Sequence, residues 1–473
     1  MLSKTMAPPK MMDSRYAPKV DVHCADLPGM VSQSVVELFP SIKPGYLQKE
    51  GIAQIRKFTE KTLADIDMTK IKPGDSVNIL SAEHGYYLLG GEHYCEMIKT
   101  IKDVVRERTG CTNIRLRVAG GMHTKEADEI IKHFNLRAAF DGKVAGTHAF
   151  DKGVPIETEI GTLYGLAKVY DADWIIHASH DEQRDLYFYR MIDRVLKAFV
   201  MSFARYEVRS LFHCNFGSRS ANFIQRSIFN SPFVQKKFAF GCFLRMTPAG
   251  ITGVDADNDL DRLGRKISVD LMRDYGKVLR LFSEIDECVV VIDGSRWAHY
   301  LHAGGVVFGC FENSIYDAYD LSNHAAFGYY DLLSKIASGD EESMDQIMLA
   351  HPAIKAAVVN QSMPGIPWSD IAITRPTFVA NASQAESLRK DPANASFMDM
   401  AEETGTLAEA VERACEAAGT DKVIAFDDSF GYITCSPSMA ELLQKLAPEV
   451  SRKVDTEYLP KWLRQRGIDP KQI

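Results

Sequence analysis

The chain alternates short runs of β-branched and other apolar residues with segments in which apolar residues recur every three or four positions. The first strand predicted in this way is "SVNIL", which follows the turn at Pro73-Gly74. The helix after it is marked by apolar residues at helical spacing, which are Met97, Ile98, Ile101, Val104 and Val105. "NIRLRVA" predicts a second strand, and a helix follows from about Lys125 to His133. This alternation is typical of a βα-type sheet.

Later segments continue the pattern less regularly. "DADWIIHA" predicts a strand ending near Ala178, a helix is expected over roughly Tyr189 to Met201, and "EVRSLF" is interpreted as a strand. "CVVVID" and "KVIAF" predict two further buried strands. Between them, Thr406 and Glu409 form a capping box that opens the helix "TLAEAVERACEAAG".

These elements predict an α/β protein with two lobes. We expect a Rossmann-like N-terminal sheet domain and a second α/β domain, with an active site in the cleft between them. The domain boundary is expected between Lys266 and Cys288. The predicted divisions are an N-terminal extension (1–42), a catalytic and cofactor-anchoring domain (43–275), a C-terminal α/β domain (276–436) and a helical tail (437–473).

Composition excludes several classes of function. The 473 residues include 55 Lys and Arg against 63 Asp and Glu, so the net charge of −8 argues against nucleic acid as a partner. No apolar run approaches the roughly 20 residues that cross a bilayer, so no membrane partner is expected. The nine cysteines are scattered and never spaced as CxxC, which favours a reducing compartment. We therefore expect a cytoplasmic protein.

Histidines gather where predicted strands end. Glu83 and His84 follow the first strand, and His123 follows "AGGM" after the second. The third strand is followed by His177 and His180, and His213 follows the predicted strand "EVRSLF". A lone histidine is more often structural, but ligands bind at the carboxyl ends of strands in open α/β sheets. The repetition favours one shared site.

Lys197 is unusual because it lies among apolar residues in "RVLKAFV". A desolvated ammonium loses pKa and becomes a usable nucleophile. A snorkelling lysine on an amphipathic helix is an equally good interpretation of Lys197 alone. The common hydrolase elbow, phosphate-loop and dinucleotide fingerprints are absent from the sequence.

The ordered set of motifs resembles the nickel-pincer nucleotide-dependent 2-hydroxyacid racemases and epimerases, a lactate racemase-like family. The matching features are Gly121-Met122-His123, the strand after Ala172-Asp173, Lys197, and a histidine sixteen residues later at His213. "KPGDSVNI" and "VIAFDDSFGY" are also similar to the family. The resemblance covers most of residues 43–270 and then 404–435.

The resemblance implies a cofactor and residue roles. Lys197 would carry the pincer, a pyridinium thioamide/thiocarboxylate mononucleotide, in covalent linkage, and His213 would complete the coordination of its nickel. Imidazole is a suitable nickel ligand. His123 would be a catalytic acid–base, because hydride transfer leaves the protein only the hydroxyl proton to move.

Two departures from the family pattern change the expected substrate site. The family's second base falls on Arg184, which cannot accept a proton and would instead bind a carboxylate. His180 is therefore the expected second catalytic base, with His177 as the weaker candidate. The family's substrate-binding arginine falls on Tyr86, so Tyr86, Glu83 and His84 are the predicted substrate-binding residues together with Arg184.

The resulting hypothesis is an isomerase that inverts a hydroxyl-bearing carbon of a 2-hydroxyacid. The alternatives are a carbohydrate or polyol epimerase of the same fold with one base, and a relative that binds ligand without the cofactor. The implied partners are a small hydroxyacid or polyol and the cofactor-maturation enzymes, and a homo-oligomer is left open.

Overall fold

The computed structural model describes residues 17–45, 48–87, 91–120, 125–181, 195–214, 221–294, 314, 317, 319–322, 351–362, 375–427 and 429–472. The chain divides into two compact units. The first unit comprises Tyr46–Met246 and Ile251–Asp270. The second unit comprises Met1–Gly45, Thr247–Gly250 and Leu271–Ile473. Each unit contains one large sheet, and both sheets are mixed but mostly parallel, so the protein is α/β.

The strands of the described residues are, in chain order, β1 (Val31–Ser34), β2 (Ser76–Ala82), β3 (Asn113–Ala119), β4 (Val144–Thr147), β5 (Gly153–Thr158), β6 (Gly161–Leu166), β7 (Trp174–His180), β8 (Phe238–Thr247), β9 (Gly250–Asp257), β10 (Cys288–Asp293), β11 (Ile354–Gln361), β12 (Thr377–Val379), β13 (Glu402–Glu403), β14 (Val423–Phe426) and β15 (Tyr432–Cys435).

The α-helices of the same residues are α1 (Val35–Leu38), α2 (Gln48–Ala64), α3 (Glu83–Tyr87), α4 (Glu92–Thr109), α5 (Glu126–His133), α6 (Leu136–Ala139), α7 (Ala167–Tyr170), α8 (Tyr206–Cys214), α9 (Ala221–Phe229), α10 (Pro232–Lys237), α11 (Leu260–Phe282), α12 (Ala382–Arg389), α13 (Ala395–Met400), α14 (Leu407–Ala418), α15 (Pro437–Lys453) and α16 (Leu459–Arg464).

The sheet of the first unit has the strand order β4-β3-β2-β7-β8-β9. β2 pairs in parallel with β3 and β7, β3 with β4, and β7 with β8. β5 and β6 form a separate antiparallel hairpin. The five central residues of β2 are buried, as are all ten residues of β8, which is typical of a sheet covered on both faces.

The sheet of the second unit has the strand order β1-β15-β14-β10-β11-β12-β13. β10 pairs in parallel with β11 and β14, while β15 runs antiparallel to β14 and β1. β1 and α1 lie within the residues that the sequence set apart as an N-terminal extension. They are part of this unit, because β1 pairs with β15 from Val31 opposite Cys435 to Ser34 opposite Tyr432.

The second unit packs small and β-branched side chains between its sheet and α14. The members of this core are Cys24, Val289, Val291, Ala356, Val358, Phe378, Ala380, Leu407, Ala410, Ala414, Val423 and Ala425. The predicted start of α14 is confirmed, since Thr406 Oγ1 accepts a hydrogen bond from the backbone N–H of Glu409. The Glu409 carboxylate, however, accepts from the N–H of Gly405 rather than from that of Thr406.

Two predicted elements are wrong. "EVRSLF" is not a strand but part of α8, in which Val208 and Phe212, one helical turn apart, are buried while Leu211 is exposed. A helix is also expected to end at Met201. Where the structure describes this segment, it forms a turn with a short 3-10 helix at Lys197–Phe199 instead. None of the helices in the described part of the chain combines the length and apolarity needed to cross a bilayer.

Candidate active site

The sheet of the first unit reverses its strand order beside β2. From β2 the chain steps outward to β3 and β4, and then returns to place β7 on the other side of β2. Ligands in open α/β sheets bind outside the carboxyl ends of the strands at such a switch point. The residues that follow β2 and end β7 are therefore the first to consider as a site.

Glu83 and His84 follow β2 directly, as predicted, and open α3. Nδ1 of His84 lies 2.8 Å from Oε1 of Glu83, and the two side chains are 18% and 8% exposed. A carboxylate on Nδ1 favours the tautomer whose proton is on Nδ1 and makes Nε2 the basic nitrogen of the neutral ring. The pair is thus arranged for acid–base chemistry, beyond the substrate-binding role that the sequence suggested.

Arg209 is a residue of this edge that the sequence analysis missed. Its side chain is buried on α8, its Nε donates to the carbonyl oxygen of Ala204 at 3.1 Å, and Glu83 and Glu126 lie close enough to act on its charge. Burial lowers the pKa of Arg209, and the two carboxylates oppose that shift. The helical spacing of Val208 and Phe212 was the signal that places Arg209 on the buried face.

His177 and His180 lie within β7 rather than after it, which corrects the predicted strand end. His180 is 4% exposed, and its Nδ1 lies 2.9 Å from the carbonyl oxygen of Asp181. The ring meets Tyr94 edge to face at 6.0 Å between centroids. The expected second base is therefore at the switch point but almost fully buried.

His177 is a core residue. Its ring contacts Phe199, Phe203 and Phe243 edge to face at 5.1–5.6 Å between centroids. Nε2 lies 3.0 Å from the carbonyl oxygen of Val195, and burial lowers the pKa of His177 to about 3. The weaker of the two candidate bases thus serves packing.

Tyr86 also belongs to the core of the first unit. The side chain has no exposed surface, and its hydroxyl shares a hydrogen bond of 2.8 Å with Ser81 Oγ. Its ring meets Tyr94 edge to face at 5.0 Å, and burial raises the pKa of the phenol well above its ordinary value. Tyr86 does not offer the exposed hydroxyl that a substrate-binding residue needs.

Lys197 lies in the 3-10 turn, with a partly buried side chain beside the buried residues Val195, Leu196 and Phe199. His213 is the penultimate residue of α8, so the predicted fourth strand end with a histidine is wrong. The side chain of His213 and all of His123 and Arg184 lie outside the described residues. The structure therefore brings together Glu83, His84 and His180 at one edge.

We predict that His177 makes the first unit acid-sensitive. Its folded-state pKa is below the unfolded value of about 6.5, so the unfolded chain binds a proton that the folded chain excludes. The stability it contributes is present above pH 6.5 and falls by about 1.4 kcal/mol per pH unit from there toward pH 3. In urea titrations, His177→Phe should remove this part of the pH dependence, whereas His133→Gln, at an exposed site, should leave it. Equal pH slopes for wild type and His177→Phe would contradict the assignment.

The described His, Cys, Asp and Glu side chains form no group of three that could hold a metal ion. Comparison of the whole sequence with protein-family models and with curated proteins finds no match.

Proposed function

We propose that the chain is a racemase or epimerase that inverts a hydroxyl-bearing carbon of a 2-hydroxyacid with the help of a lysine-tethered nickel-pincer nucleotide. The ordered sequence motifs support the family. The structural observation that carries the proposal is the Glu83–His84 pair at the carboxyl end of β2, beside the strand-order reversal. Such a pair can move the hydroxyl proton that this reaction releases and returns.

The strand order also supports the finer description of the first sheet as Rossmann-like. Counted from β2, the order β4-β3-β2-β7-β8 is 3-2-1-4-5, which is the order of the dinucleotide-binding folds. The last strand, β9, follows β8 after a two-residue turn. A mononucleotide at the carboxyl edge of this sheet is consistent with how such sheets bind phosphorylated ligands.

Lys197 and His213 are the residues that would hold the cofactor. Lys197 offers a primary amine in a turn beside the buried apolar residues Val195, Leu196 and Phe199. His213 offers an imidazole, a donor that suits nickel. When bound, the group supplies an electrophilic acceptor for the hydride of the substrate carbon.

The chain's own residues then have a limited task. In the neutral ring, Nδ1 of His84 bears a proton toward Glu83, so Nε2 can accept the substrate hydroxyl proton and later return it. Glu83 holds the ring in this orientation and stabilises the imidazolium that forms. The positive charge of Arg209 and the Glu83 carboxylate attract each other, which opposes the lowering of the Arg209 pKa by burial.

The tether predicts a mass change that depends on one lysine. Protein produced together with the cofactor-building enzymes should carry a mononucleotide adduct, and Lys197→Ala should abolish it because no other amine occupies this turn. Lys236→Ala, at an exposed lysine of the same unit, is the matched control and should keep the adduct. Intact-mass spectrometry measures all three. An unmodified wild-type protein, or an adduct that survives Lys197→Ala, would refute the assignment.

A further inference from the structure

The second sheet has its own strand-order reversal. β10 lies between β11 and β14. After β10 the chain forms β11, β12 and β13 on one side of it, and only then forms β14 on the opposite side. Asp293 is the last residue of β10, and Asp427 follows β14. Both carboxyl groups, of which that of Asp293 is buried, therefore lie where an open sheet binds ligands.

Asp293 is held by three donors. Its side chain has no exposed surface. Oδ1 accepts from Asn360 Nδ2 at 2.7 Å and lies 3.0 Å from His23 Nδ1, while Oδ2 accepts from the backbone N–H of Cys24 at 2.6 Å. A buried carboxylate with donors on both oxygens is fixed in position.

The main chain of segment 18–24 is hydrogen-bonded to side chains at the same edge of the sheet. Asn360 Nδ2 also donates to the carbonyl oxygen of Val22 at 2.9 Å, and Gln361 Nε2 donates to that of Pro18 at 2.7 Å. These bonds hold the main chain before His23, and the bond from the Cys24 N–H to Asp293 holds it after His23. The His23 side chain nevertheless remains 44% exposed. One side of its ring therefore contacts the buried Asp293 carboxylate, and the other is open to solvent.

The two ring nitrogens of His23 have different surroundings. With Asp293 on Nδ1, the neutral ring carries its proton there and presents the lone pair of Nε2. Nε2 makes no hydrogen bond within the described part of the chain and belongs to a ring that is open to solvent. The exposed nitrogen is therefore suited to accept a hydrogen bond from a ligand hydroxyl.

The charges around His23 restrict the ligand. The hydrogen bond to Asp293 raises the pKa of His23, burial opposes the rise, and the charges of Asp293, Asp26 and Asp427 add to it. The negative charges that act on the ring disfavour an anion such as a carboxylate or phosphate. A neutral compound with hydroxyl groups suits the site better.

We propose that His23 and Asp293 form a binding site for a neutral polyol or sugar at the carboxyl edge of the second sheet, in which Nε2 of His23 accepts a hydrogen bond from a ligand hydroxyl. The site lies wholly in the second unit and is independent of the function proposed above.

Saturation-transfer NMR on the full chain tests this site, with glycerol and glucose as probes and lactate as the anionic comparison. The neutral probes should bind more tightly than lactate, and His23→Gln and Asp293→Asn should each weaken their binding about tenfold or more. His133→Gln, at an exposed histidine to which no described carboxylate is hydrogen-bonded, should bind as wild type. Binding should strengthen as the pH rises through the pKa of His23, since only the neutral ring has a lone pair on Nε2 that accepts a hydrogen bond from a hydroxyl. Equal binding by His23→Gln, or equal binding of lactate, would overturn the proposal.

The wild-type protein provides a second test that needs no substitution. A saturating polyol that bonds the neutral ring should lower the pKa of His23, measured from its ring ¹⁵N shifts. Hydrogen exchange of the Cys24 amide in His23→Gln shows whether the segment 18–24 stays docked. The proposal is wrong if the segment undocks in that variant and the polyol leaves the pKa of His23 in the wild type unchanged. His23 would then only hold the segment 18–24 in place.

Discussion

Replacing Arg245 by alanine is expected to destabilise the first unit by about 3–5 kcal/mol, the cost of breaking a buried ion pair from one side. Arg245 is 10% exposed and contacts three carboxylates, Asp181 through Nε, Asp255 through Nη1 and Asp270 through Nη2. Burial opposes the guanidinium charge, but these carboxylates raise the pKa of Arg245. Without it, the fully buried Asp181 carboxylate at the end of β7 loses its cation.

Urea denaturation of Arg245→Ala and Arg262→Ala measures this difference. Arg262 also binds an aspartate, Asp257, but its side chain is 69% exposed. Exposed ion pairs contribute about 0–1 kcal/mol because solvent screens them, so Arg262→Ala should be nearly neutral. Similar losses of stability in the two variants would show that Arg245 is not a central ion-pair residue.

The second large effect concerns catalysis and rests on the function proposed above. His84→Gln should lower the rate of inversion about 10²–10⁴-fold, the usual contribution of a general acid–base. Glu83→Gln should lower it less, since the ring remains but loses its orienting carboxylate. Chiral chromatography of a 2-hydroxyacid incubated with matured protein measures the rate.

The same variants separate catalysis from cofactor binding. His84→Gln should keep the Lys197 adduct, because His84 is not a residue of the tether, and His133→Gln should keep both adduct and rate. A wild-type rate in His84→Gln would refute the acid–base role of His84 but would not contradict the attachment of the cofactor to Lys197. Loss of the adduct in His84→Gln would mean that it acts on cofactor loading.

Much of the sheet structure follows from periodicity. "SVNIL", "NIRLRVA" and "CVVVID" are short segments rich in apolar and β-branched residues, and each forms a strand at that place. Such runs identify parallel strands buried on both faces. The prediction of a strand at "EVRSLFHC" failed because a short segment with apolar residues three or four apart fits a helix as well as a strand. Tertiary packing decides between the two, and here it selects the helix.

The site was less accessible to sequence reasoning. Glu83 and His84 could be found because they follow a strand directly, and their position needs only local information. Tyr86, two residues later, is buried because α3 turns it toward Ser81 and Tyr94, which a linear pattern does not reveal. His23 and Asp293 are 270 residues apart, and no spacing rule joins them.

The antiparallel pairing of β1 with β15 also has a consequence for synthesis on the ribosome. Residues 31–34 are synthesised about 400 residues before their partner, residues 432–435. The second unit cannot complete its sheet until that partner has been made, while the segments of the first unit, which ends at Asp270, are already available to fold. β1 therefore stays without its antiparallel partner while the intervening residues are synthesised.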